Sequence, residues 1–140
     1  MEKLIYLLWE PATDILSRLQ DELAGIGAKN VRLNLRDEAV APAAKLVQSR
    51  GDEQAGAVVQ FWLPSANIIF RKTCDEVVSR CCANHHAWLV SESHIIANQD
   101  HQPASGERTF GFAQLAFLTL PETMTWQDWR TVWRDGHTQV

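Results

Sequence analysis

No stretch of this 140-residue chain stays apolar for the roughly 20 residues that a membrane-spanning helix needs. The opening residues 1–9 are too short for a signal-peptide core and carry an early acid, Glu2. Blocks of basic residues are missing as well. Lys and Arg total 13 against 17 Asp and Glu, a net charge of −4, which leaves no electrostatic footprint for a phosphate backbone. Nucleic-acid and membrane partners are therefore set aside. The three cysteines are an odd count without the spacing of a disulfide framework, so a reducing, cytoplasmic setting is expected. The chain also lacks Gly-x-Gly-x-x-Gly, P-loop and Gly-x-Ser-x-Gly patterns, and with them any support for nucleotide binding or a nucleophile elbow.

What is present is an ordinary globular composition, 46% apolar and 21% charged, in a length that suits one domain with a sizeable core. Residues 3–9 are apolar on both faces, as in a central strand, and Pro11 ends them. Residues 14–26 place Ile15, Leu16, Leu19, Leu23 and Ile26 at helical spacing, with Gly25 and Gly27 as the stop. Val31, Leu33 and Leu35 alternate with Arg32, Asn34 and Arg36, the pattern of a strand with one wet face. A weaker helical stretch with Pro42 covers residues 38–49, and a polar turn follows at 50–54.

Residues 57–63 form the next expected strand, closed by Pro64. A second long helix is expected over 65–82, with Ile69, Thr73, Val77 and Cys81 on one face beside Phe70, Cys74 and Val78. Residues 87–96 then read as a strand with Trp88, Val90, Glu92, His94 and Ile96 on one side. The order β-α-β-(α)-β-α-β matches the ferredoxin-like split β-α-β pattern, an α+β fold with an antiparallel sheet. After a polar loop over 98–107, residues 110–120 predict a fifth strand and residues 125–140 a last helix.

This strand-Pro-helix unit echoes the first one, since Leu120-Pro121-Glu122 parallels Trp9-Glu10-Pro11. The expected organisation is thus a first ferredoxin-like unit over 1–100 and the beginning of a second, incomplete one over 108–140. A fifth strand and a helix with no second half imply either a piece of a longer protein or a unit that completes a partner's sheet.

The last helix carries the most informative spacing, Trp129-x3-Trp133-x3-His137, with Trp126 on the same stripe. Residues four apart stack on one helix face, and these three positions share an arc of about 80°. Thr125 is placed to cap the helix, with Asp128 at the third position as in a capping box. Two readings of the stripe stand side by side. Tryptophans pack ordinary cores. A histidine that continues an aromatic wall needs a polar partner, and can act as an acid, a base or an orienting donor. Other polar residues interrupt the strands: Tyr6, Gln60, Glu92, His94 and Gln114. Glu92 and His94 share a face, as an acid–base pair or as a solvated strand end. Tyr6, the single tyrosine, reads chiefly as a core residue with a satisfied hydroxyl. Cys74, Cys81, Cys82, His85 and His86 lack tight zinc-ligand spacing, and Cys74 and Cys81 share a face with valines as small hydrophobes do.

Residues 118–137, from Leu118-Thr119-Leu120-Pro121 through Trp129, Trp133 and His137, resemble the signature of the EthD family, named from ethyl tert-butyl ether degradation. That signature has a strand, a short Ser/Thr-led helix start, then an aromatic and a histidine four apart. The resemblance implies a dimeric α/β barrel, in which ferredoxin-like sheets pair face to face and a pocket lies between sheet and helices. It also implies cofactor-independent chemistry such as decarboxylation, cyclisation or oxygenation of a small apolar or aromatic molecule. His137 would be the acid–base group, Trp129 and Trp133 would shape the pocket, and Tyr6 would be a further polar candidate. A homodimer is expected, because a one-layer sheet leaves an apolar face exposed. The alternatives are a non-catalytic ligand-binding or accessory protein and, by superfamily analogy alone, haem binding through His137.

Overall fold

A computed structural model describes residues 1–48, 51, 53–94 and 98–136. Four strands carry the fold: β1 (Glu2–Pro11), β2 (Lys29–Leu35), β3 (Ala57–Leu63) and β4 (Cys82–Val90). Helix α1 (Ile15–Gly25) joins β1 to β2, and α2 (Ile68–Ser79) joins β3 to β4. A 3-10 turn, Glu38–Leu46, lies between β2 and β3, and α3 (Trp126–Thr131) runs into a π-type turn, Val132–Gly136. The strands form one antiparallel sheet in the order β2-β3-β1-β4. The protein is therefore α+β, with a sheet order compatible with the ferredoxin-like pattern. Among the described residues no helix is long and apolar enough to cross a membrane.

The core lies on one side of the sheet. Leu4, Tyr6 and Leu8 of β1 and Ala57, Val59, Phe61 and Leu63 of β3 point there. Ile15, Leu19 and Leu23 of α1 and Cys74, Val77 and Val78 of α2 cover them. These positions recur at periods of two and of three to four, which is why the strands and helices bury one face each. Gly56, just before β3, is fixed by close approach: a Cβ there would meet Pro11 Cδ at 2.4 Å.

Several expectations are corrected by this architecture. β1 continues through Pro11, which pairs with Cys82, because a proline at a strand end forfeits only one ladder donor. The second helix spans Ile68–Ser79, not 65–82, because Asn67 caps it by accepting from the Ile69 and Phe70 amides at 3.1 and 3.4 Å. Its first turn stays outside the core, with Ile69 80% exposed.

β4 starts at Cys82 and stops at Val90, five residues before the expected start and six before the expected end. The ladder with β1 decides this, running from Pro11↔Cys82 to Lys3↔Val90 and using up the partner strand. Ile96 lies outside the described residues. The fifth strand is absent: residues 110–120 carry no regular structure. Their alternation lacks a hydrogen-bonding partner, and a strand without one is not stable in water. The last helix is also shorter than expected. It has six α-helical residues, and 137–140 lie outside the described residues.

Candidate functional site

Of the residues singled out from the sequence, Tyr6, Trp129 and Trp133 are among the described residues. Tyr6 is fully buried on the helix-covered side of the sheet, stacked on Phe61 with ring centroids 5.5 Å apart. Its hydroxyl donates to Asp75 Oδ1 at 2.6 Å, and Arg71 Nε holds the other carboxylate oxygen at 2.9 Å. Burial pushes the phenol well above its ordinary range, and the hydrogen bond and charge of Asp75 push the same way. Tyr6 is thus a core residue with a satisfied hydroxyl.

Thr125 caps α3 by accepting from the Asp128 amide at 3.2 Å. The capped frame stacks Trp126 on Trp129 at 5.4 Å and brings Trp129 to 5.9 Å from Trp133. No residue of α3 is buried; Trp126 is exposed, and Trp129 and Trp133 are partly exposed. His137 lies outside the described residues, so its place beside that stripe is an expectation from spacing alone.

A different set of side chains converges on the sheet face opposite the helices. Residues directly opposite across a ladder share a face. One row therefore holds Asn34, Val58, Leu7 and His86, and the next holds Arg32, Gln60, Ile5 and Trp88. Trp9 lies beyond the first row, and Trp62, Lys3 and Val90 lie beyond the second. Ile5, Leu7 and Val58 make an apolar floor. His86 stands between two indoles, 5.4 Å from the Trp9 ring at a near-perpendicular 87° and 6.1 Å from Trp88. Phe117, from the irregular segment, meets Trp88 at 5.8 Å. Across the floor, Asn34 Oδ1 is buried and accepts no hydrogen bond among the described residues.

This arrangement offers an apolar bed, aromatic walls, an imidazole that can give or take a proton, and an acceptor in want of a donor. The sequence reading missed it because Trp9, His86 and Asn34 come from three strands whose register no local pattern reveals. The available signal was the period-two run His86-x-Trp88-x-Val90, obscured by grouping His86 with the cysteines. Burial raises the thiols of Cys74, Cys81 and Cys82 above their ordinary range, which disfavours the thiolate. Among the described residues no three His, Cys, Asp or Glu side chains gather as metal ligands would.

At the end of the same face Lys3 is 7% exposed and donates from Nζ to Glu92. Glu92 in turn lies 2.9 Å from His94 Nε2. Glu92 and His94, read from the sequence as an acid–base pair or a solvated strand end, thus lie within reach of each other just past β4, with His94 65% exposed to solvent. The Lys3 hydrogen bond holds the Glu92 carboxyl below its ordinary range. Beside this cluster opens a depression of about 480 Å³, walled by Lys3, Trp62, Leu89 and Glu92.

Compared with known proteins, the chain matches no family model and no curated protein.

Proposed function

We propose that this protein is EthD-like and binds a small apolar or aromatic molecule on the open face of its sheet, with a second copy closing over that face. The observation that carries the reading is the Trp9–His86–Trp88 row above the floor of Ile5, Leu7 and Val58. Indoles and an imidazole on the face that the chain's own helices leave uncovered make a surface that a ligand and a second copy would bury. An aromatic ring that buries about 150 Å² there gains about 4 kcal/mol before entropy costs. His86 is the described group placed to move a proton. The EthD resemblance adds His137 as an acid–base group, with Trp129 and Trp133 as pocket walls, brought in by α3 of the same or the second copy.

Indole N–H resonances test this directly, because the chain has six tryptophans spread over both regions. Titration with 2-naphthol should shift Trp9 and Trp88 and leave most others in place. Shifts confined to Trp126, Trp129 and Trp133 would move the site to the last helix, and no shift at all would sink the reading. Binding without turnover of any bound aromatic would make the protein a carrier or accessory and not an enzyme.

A further inference from the structure

We infer that Lys3 is an anion-recognition group, so that the open-face ligand is an aromatic or apolar carboxylate. The inference rests on the open-face reading and adds the ligand's charge to it. A lysine ammonium has three N–H donors. Among the described residues Glu92 is the one hydrogen-bond acceptor that Lys3 Nζ reaches, although the residue is only 7% exposed. The ammonium also lies 5.9 Å from the centroid of the Trp62 ring, which favours the cation without accepting a conventional hydrogen bond. The donors left over border the 480 Å³ depression, within the size range of small-molecule sites.

The register supplies the spacing. Lys3 pairs with Trp62 and Val90, and Ile5, two residues on, pairs with Trp88. Two residues along a strand span about 7 Å. A carboxylate on Lys3 would set a ring joined through two or three atoms toward Ile5 and Trp88, which lie on the sheet face outside the depression itself. Glu92 does not block this. It has a second partner in His94, 2.9 Å away.

The test is calorimetric titration with trans-cinnamate and with its neutral isostere cinnamamide. The intact protein should bind cinnamate about tenfold more tightly, the size of one charge-assisted hydrogen bond. Lys3→Met should weaken cinnamate binding more than cinnamamide binding, so that the preference for the carboxylate shrinks toward none. Lys3→Arg should keep the preference, which separates loss of charge from loss of fold. Glu92→Gln should strengthen cinnamate binding by removing the competing carboxylate. Equal binding of both probes to the intact protein, or a preference that survives Lys3→Met, overturns the carboxylate inference and leaves the open-face reading standing. Failure of both probes to bind overturns both.

Discussion

Residues 2–90 and residues 98–136 carry the same local signals and meet different fates. Both contain alternating apolar stretches and both contain a helix with a side-chain cap. In the first region Leu4, Tyr6 and Leu8 are at most 1% exposed. In the second, Phe110 is 82% and Phe112 55% exposed, and no residue of α3 is buried. Asn67 and Thr125 each cap a helix, but only the Asn67 helix lies against a sheet. Alternation makes a strand only where another strand offers its edge, and an apolar stripe makes core only where a second layer covers it. The exposed apolar residues between 110 and 132 are the side of this comparison that a second copy or further chain would change.

The largest expected effect lies in the covered region. Phe61→Ala should cost about 3–5 kcal/mol in urea unfolding, the usual range for emptying a buried phenylalanine site. Phe112→Ala should stay within about 0.5 kcal/mol if the second region is uncovered in solution. A loss at Phe112 comparable to that at Phe61 would mean that the segment is buried by another copy, and the loss would then depend on protein concentration.

The two caps give a sharper and smaller contrast. Asn67→Ala should lower global stability by about 1 kcal/mol. Thr125→Ala removes the same kind of hydrogen bond and should leave the global midpoint unchanged, since α3 is not part of the cooperative core. Equal losses at the two positions would break the comparison by showing that both regions unfold together.

The smallest effect concerns pH. The folded protein holds Glu92 below its ordinary range through the Lys3 hydrogen bond, so between the two values the unfolded chain binds more protons. The stability from this pair is fully present above the unfolded value and is lost as pH falls through the lower, folded one. Urea midpoints of the intact protein and of Lys3→Met, taken at about pH 6 and about pH 3 on either side of the ordinary carboxylate range, should differ more at the higher pH. A gap that widens on acidification would contradict that sign.

The candidate site was less legible than the fold. Tyr6 could be read as a core residue because a lone tyrosine within an apolar strand must bury its ring and satisfy its hydroxyl, and Asp75 does the latter. The Glu92–His94 pair was visible as two polar residues at period two. Lys3 was not visible as a site residue, since its partners Trp62 and Glu92 come from β3 and from beyond β4. His86 was equally hidden, because its neighbour Trp9 is far away in sequence and adjacent only through the β1–β4 register.

By itself the sequence determined the elements whose signals are local: the apolar first strand, the amphipathic helix after it, the half-wet second strand, the third strand, and the cap at Thr125. Periodicity and capping act over one or two turns of chain, so they can be read without knowing the neighbours. Only the tertiary structure decided the ends of β4, the failure of residues 110–120 to become a strand, and which polar residues share the open face. Those outcomes depend on ladder partners far apart in sequence, and a ladder hydrogen bond exists only when the second strand arrives.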